Sequence, residues 1–210
     1  MPSLKHYPDK PWERGPKDIP SLDNGQNICQ QKTDGWRCEL LKSRGIYAIS
    51  RHNKPLDLEP HIREQVDLLL EEVPDRSQFD GEWLSRREAT NKKAKPRLVL
   101  FDTIRLKKRW NLLLPYQERL AQLEEIFARA IDKHGADAFT SVMLPETALD
   151  GEFLSFYEAQ KVLPHSEGVV IKRKNSTLVG DRNKSVKNAN WAKVRYRAAS
   201  SGSMTMDHLR

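Results

Sequence analysis

Gln30-Gln31-Lys32-Thr33-Asp34-Gly35-Trp36-Arg37 is the stretch from which the rest of the chain is read. It leaves a short segment, Asn27 to Gln31, that reads as a strand, and it passes Lys32 into an Asp34-Gly35 turn. Trp36 to Leu41 begins a second strand, so Arg37 stands close behind the lysine. A lysine is a poor nucleophile while its ammonium keeps its proton, and nearby cations and desolvation favour the free amine. Gly35 allows a tight turn and a close backbone approach. The same pattern also fits an ordinary solvated lysine in a hairpin loop. What the rest of the chain can bring to Lys32 decides between the two.

Upstream, residues 1–26 carry Pro2, Pro8, Pro11, Pro16 and Pro20 and read as an extended arm with no packed element. Downstream, Gly45 to Arg51 completes a hairpin with Trp36 to Leu41, and His52-Asn53-Lys54-Pro55 breaks it. Leu58-Glu59-Pro60 opens a helix with Ile62, Val66, Leu69, Leu70 and Val73 on one face, and Pro74 ends it. Phe79 to Ser85 and Arg97 to Asp102 read as strands joined by a basic loop through Asn91, Lys92, Lys93 and Lys95. A long helix follows from Pro115 to about His134, capped by Gly135. Ala138 to Met143 is a short strand, and a further helix is expected from about Leu149 to Lys161. Val169 to Lys174 and Trp191 to Arg197 are the last strands, and 198–210 is an Ala/Ser/Gly-rich tail. Seven or eight strands among three helices, without regular alternation, predict an α+β domain of antiparallel sheets flanked by helices over residues 27–197.

The chain has 210 residues, enough for one sizeable core. No apolar run reaches the roughly 20 residues of a membrane helix, and the N-terminus has no apolar signal region, so a cytoplasmic protein is expected. Cys29 and Cys38 match no zinc spacing and read as reduced, buried residues on adjacent strands. The net charge of +7 and pI near 9.4 point to a polyanionic partner. That charge concentrates late, in Lys172, Arg173, Lys174, Arg182, Lys184, Lys187, Lys193, Arg195 and Arg197.

Several later segments could serve a lysine nucleophile. Asp80-Gly81-Glu82 puts two carboxylates on one face of a strand, about 7 Å apart, where they can take a ribose hydroxyl or help hold a divalent metal. Phe101 ends an apolar strand and could stack on a purine. Glu167 and Lys172 bracket Gly168-Val169-Val170-Ile171, and an unbroken pleat would turn them to opposite sides. Either Gly168 breaks the pleat or only one of them enters the pocket. Lys193 and Arg195 share a face and would suit a nucleotide's α-phosphate.

Taken in order, these segments resemble the motif series of the covalent nucleotidyltransferases, the superfamily of ATP-dependent DNA ligases, RNA ligases and mRNA-capping enzymes. Lys32-Thr33-Asp34-Gly35-Trp36-Arg37 resembles K-x-D-G-x-R, and Ser50-Arg51-His52-Asn53-Lys54 resembles S-R-N-G-K, with His52 as an insertion and Asn in place of Gly. Asp80-Gly81-Glu82, Phe101-Asp102, Glu167 to Lys172 and Lys193-Val194-Arg195 follow in the expected order. The resemblance implies an ATP-grasp-like nucleotidyltransferase fold and a role for each match. Lys32 is implied as the residue that attacks the α-phosphate of ATP to form lysyl-AMP. Arg37 and Glu82 are implied as ribose contacts, Phe101 as the base stack, and Gln31 as a further nucleotide contact. Glu167, with Glu82, is implied as a ligand of Mg²⁺ or Mn²⁺, and Lys172, Lys193 and Arg195 as phosphate contacts. Arg51 is implied near the ribose or a nucleic-acid 5′-phosphate.

Within the superfamily the segments look most like small viral or bacterial DNA ligases. That implies a monomer sealing nicked double-stranded DNA, with an RNA ligase next, a capping guanylyltransferase third, and a non-catalytic nucleic-acid-binding module in another class. Nothing after Arg197 resembles the OB-fold domain that usually follows in DNA ligases and capping enzymes. A shortened chain, a minimal enzyme and a partner chain remain three explanations.

Overall fold

Two sheets, each backed by its own helices, face one another across a cleft. The computed structural model describes residues 6–7, 9–85, 95–107, 109–180 and 184–196. The basic loop around Asn91 to Lys93, Arg197 and the 198–210 tail lie outside them.

In chain order the elements are β1 (Lys10–Glu13), α1 (Ile19–Leu22), β2 (Asn27–Thr33), β3 (Trp36–Lys42), β4 (Ile46–Ser50), α2 (Pro60–Leu69), β5 (Ser77–Leu84) and β6 (Arg97–Leu106). β7 (Arg109–Trp110), α3 (Tyr116–His134), β8 (Val142–Met143), α4 (Phe153–Gln160), β9 (Ser166–Arg173) and β10 (Lys187–Arg195) complete them. One sheet has the order β1-β10-β9-β2; the other runs β4-β3-β5-β6-β7, with β8 beside β6. The pairings are antiparallel except β1 with β10 and β8 with β6. The expected α+β domain of antiparallel sheets is the one observed.

Strand alternation sorts the side chains. Cys38, Leu40, Phe79, Trp83, Leu98 and Leu100 face α2 and α3 and pack with Ile62, Val66, Leu123 and Phe127. Each such fully buried side chain contributes roughly 1.5–3 kcal/mol. The other sheet sends Cys29, Val169, Ile171, Ala192 and Val194 against Ile19, Phe153 and Tyr157. The remaining face of each sheet turns toward its partner and mixes charged and amide side chains with a few buried apolar and aromatic ones. A small apolar seam of Ile104, Leu178 and Trp191 joins them at one end.

β6 bulges twice, skipping Phe101 and Ile104 in its pairing with β5. A bulge re-aims a side chain, and both skipped residues reach toward the facing sheet: Phe101 meets Lys172 and Ile104 meets Trp191. A buried ion pair fastens α3 to the next strand position, with Arg119 donating to both Asp102 oxygens at 2.7 and 3.0 Å. Arg119 also donates to the carbonyls of Leu114 and Ser176 at 2.6 and 3.1 Å.

Four expectations need correction. The proline-rich segment is not an unpacked arm: Lys10–Glu13 forms an edge strand, and Ile19 is fully buried. Proline is tolerated there because an edge strand, and the first turn of a helix, can lack an N–H. The fourth helix starts at Phe153 rather than near Leu149, because Gly151 has φ +88° and Asp23 accepts from the Gly151 and Phe153 amides at 2.7 and 3.0 Å. Residues Ala136–Ala138 form a 3₁₀ turn, leaving only Val142–Met143 as a strand. The two cysteines are free and buried as expected, but they lie in different sheets rather than on neighbouring strands. Burial pushes the Cys29 thiol up to about 12.

Candidate active site

Lys32 lies near the end of β2, opposite Gly168 of β9, and the register slips there so that Glu167 has no partner on β2. Gly168 takes φ +147°, which only glycine adopts readily. A β-carbon on it would run into the Val194 carbonyl. The pleat is therefore broken at Gly168, the first of the two alternatives open from sequence. Glu167 consequently faces the cleft, and its Oε1 pairs with Lys32 Nζ. Its Oε2 lies 3.0 Å from Arg195 Nε, off the line of a hydrogen bond, so that contact is an ion pair. The Lys32 side chain is 15% exposed, held yet reachable from the cleft.

The facing wall comes from β3 and β5. Arg37 is opposite Glu82 in register. Its guanidinium grips both oxygens of Asp80, reaches the Asp9 carbonyl at 3.3 Å and lies 5.1 Å from the centre of the Phe101 ring. Burial works against the Arg37 charge, but Asp80 outweighs it and holds the guanidinium above its ordinary range. Burial pushes the Glu82 carboxyl up to about 7; Lys32 and Arg37 pull it down, while Glu167 and Asp80 push it up. Glu39, fully buried beneath, accepts from Gln78 at 3.0 Å, and burial with the nearby Asp80 raises its carboxyl well above the usual range.

The floor is aromatic. Lys172 Nζ lies 4.1, 4.6 and 4.7 Å from the ring centres of Tyr116, Trp191 and Phe101, without a hydrogen-bond partner. Burial lowers its amine to about 7, although Asp102 and Asp80 work in the opposite sense. Gln30 is 2% exposed on the same face; Tyr116 donates to its Oε1 at 2.6 Å, and its Nε2 has no partner.

Lys193 and Arg195 do share a face. Both reach Glu13 of β1, at 2.9 and 3.7 Å from its Oε2. Arg51 is exposed in the turn after β4 and donates to His52 Nε2 at 3.1 Å. Burial lowers the Lys10 amine, helped by Arg51, Arg37, Lys193 and Lys187, so these cations converge on one rim.

The structure thus brings Lys32, Arg37, Glu82, Phe101, Glu167, Lys172, Lys193 and Arg195 to one cleft, with Arg51 at its edge. It separates Gln31 from them. Gln31 points behind the sheet, bonded to Gln160 and 3.2 Å from His165 Nε2. Its neighbour Gln30 occupies the cleft face instead, and a period-two count back from Lys32 would have found it. Sequence reading did not single out Tyr116 or Glu13, nor Asp80 as the partner of Arg37, because each contact joins segments far apart along the chain. Among the described residues, no cluster of three or more His, Cys, Asp or Glu is arranged to hold a metal. None of the described helices is long and apolar enough to cross a membrane.

No protein-family model matches the chain, and no curated protein does. Solved structures do. A mycobacterial DNA ligase D complexed with ATP and MES superposes with a TM-score of 0.67 at 21% identity, over 92% of this chain and 61% of that one. The ligase domain of M. tuberculosis LigD gives 0.65 at 21% identity, over 90% and 60%. The ATP-dependent DNA ligase of bacteriophage T7, in complex with ATP, gives 0.56 at 16% identity, over 90% and 68%. The chain spans about 60% of the length of the two mycobacterial structures. What is shared is architecture: this chain has the two-sheet fold of the nucleotidyltransferase domain of ATP-dependent DNA ligases.

Proposed function

We propose that this protein takes AMP from ATP onto Lys32 and, as a polynucleotide ligase acting on nicked DNA, passes it to a 5′-phosphate. The observation that carries the reading is Lys32 itself, held by Glu167 at a broken pleat with Arg195 on the same carboxylate and Glu82 on the facing wall.

In the first step the Lys32 ammonium gives up a proton to solvent by way of its Glu167 partner, and the freed amine attacks the α-phosphorus. A P–N bond forms, the bond to pyrophosphate breaks, and the remaining excess proton on Nζ passes to Glu167. Glu167 orients the amine. Lys193, Arg195 and Lys172 stand where added negative charge is stabilised by fixed cations rather than by reorganising water. Phe101, already flanked by the Arg37 and Lys172 cations, offers its ring to the base, with Gln30 beside it. Glu82 takes the ribose role; Arg37, tied to Asp80, shapes the same wall. The 5′-phosphate then attacks lysyl-AMP, and a 3′-hydroxyl displaces AMP to leave a phosphodiester. Mg²⁺ or Mn²⁺ would be held by Glu82 and Glu167 together with phosphate oxygens, and would neutralise charge on the phosphates. Two carboxylates suit an ion that enters with its nucleotide, which needs no complete protein cage.

The test is incubation with α-labelled ATP or GTP and a divalent cation, followed by denaturation. Label from ATP that survives denaturation and is absent in Lys32→Ala is expected. Label undiminished in that variant sinks the nucleophile assignment. Transfer to nicked DNA against nicked RNA then separates the two ligases, and label from GTP alone would favour a guanylyltransferase.

A further inference from the structure

Glu13 sits where a phosphate is expected. Its Oε2 lies 2.9 Å from Lys193 Nζ and 3.7 Å from Arg195 Nη1, two cations assigned above to the nucleotide's phosphates. The contact is built into the fold. Glu13 is opposite Lys193 in the β1–β10 ladder, and a register shift between Pro11 and Trp12 sets that pairing. The strand is pinned at both ends by backbone bonds, Lys10 N to Val186 O at 2.8 Å and Arg14 N to Lys193 O at 2.9 Å. Just before it, the buried Asp9 carboxylate accepts from Val179 N, Gly180 N and Asn188 Nδ2 at 2.9, 3.1 and 2.8 Å.

The Glu13 side chain is 52% exposed, whereas Lys193 and Arg195 are only 21% and 24% exposed. A half-solvated carboxylate gains little from such a pair. The two cations, more desolvated, interact more strongly with whichever anion faces them. The arrangement therefore contributes little to holding the fold together and much to setting how tightly an incoming anion is held.

We propose that Glu13 is an affinity-setting residue: an internal competitor that occupies Lys193 and Arg195 until the phosphate chain of a nucleotide displaces it, and that reclaims them as pyrophosphate leaves. The proposal rests on the assignment of this cleft to a nucleotide's phosphates. It requires no movement of β1, only rotation of one side chain.

The experiment is titration of the full chain with inorganic pyrophosphate and with tripolyphosphate, without nucleotide, for wild type and Glu13→Gln. The variant is expected to bind both anions about three- to tenfold more tightly, as removal of a competing charge on a partly screened site predicts. The apparent KM for ATP in the labelling reaction falls in the same proportion. Adding Lys193→Ala to Glu13→Gln abolishes the gain. Unchanged or weaker anion binding in Glu13→Gln overturns the proposal, and so does a gain that survives loss of Lys193. The anion titration decides the role of Glu13 even if no variant takes up covalent label, an outcome that bears on the nucleotidyl-transfer reading alone.

Discussion

Gly168 of β9 stands directly opposite Lys32 of β2, and the Val194 carbonyl fills the space that a side chain on Gly168 would need. The position of the carboxylate that pairs with Lys32 thus depends on a residue that carries no chemistry. Gly168→Ala meets both an unfavourable φ and a collision with backbone. A cost of about 3 kcal/mol or more is expected, with covalent labelling falling by about a hundredfold or more as Glu167 swings away. Thermal melts and single-turnover labelling check both; a variant that melts and labels like wild type removes the bulge from the account.

Lys172 and Glu82 predict an unusual dependence of stability on pH. The Lys172 amine titrates near 7 in the fold and near 10.4 when unfolded, so between these values the unfolded chain binds more protons and stability rises with pH. Glu82 titrates near 7 in the fold against about 4.3 unfolded, so stability falls as pH climbs through that window. The two windows meet near neutrality, where both groups cost most. Lys172→Met should therefore stabilise the nucleotide-free protein at pH 6 by at least ~1 kcal/mol and flatten the rise above pH 7. Denaturant melts from pH 5 to 10 measure this. Destabilisation at pH 6 would show instead that the three surrounding rings hold the ammonium more strongly than burial opposes it.

Removing one member of the Arg119–Asp102 pair strands a charge between α3 and β6. Asp102→Ala is expected to cost about 3–5 kcal/mol. The double change Asp102→Leu with Arg119→Met should recover most of that loss, since two apolar groups of similar bulk strand no charge. Urea denaturation of the three proteins distinguishes a net stabilising pair from one that merely tolerates burial.

Gln30 and Gln31 offer a test of which face is which. Gln30→Ala should raise the KM for nucleotide by about tenfold, the scale of one lost hydrogen bond in a buried site, with a small change in melting temperature. Gln31→Ala should do the reverse, lowering stability by ~1–2 kcal/mol through Gln160 and His165 while leaving KM near wild type. Exchanged phenotypes would mean that β2 carries the opposite alternation.

The Gln pair also shows where sequence reading succeeds and stops. Lys32, the carboxylate strand and the paired cations are legible because each depends on neighbours one to five positions away. The α+β class follows from element order, and the long helix from its spacing. What local pattern cannot show is which sheet a strand joins: Cys29 and Cys38 are nine positions apart in sequence yet lie in separate cores. That Asp80, on the neighbouring strand, grips the Arg37 guanidinium is equally invisible in local pattern, since the two are 43 positions apart. The proline-rich N-terminal segment reads as unpacked because its pairing partner, β10, lies most of the chain away.

That last pairing bears on how the protein folds. Lys10 aligns with Lys187, so the sheet bearing Lys32 is bounded by the earliest strand described and shares its ladder with the latest. Local contacts can form the hairpin of β3 and β4 while the chain is still growing, but β1 and β2 must wait for β9 and β10 to be made. Loop closure over such a span is slow, so the sheet that positions Lys32 is expected to be the last to assemble on the ribosome. Until it does, Asp9 and Glu13 have no partners on β10.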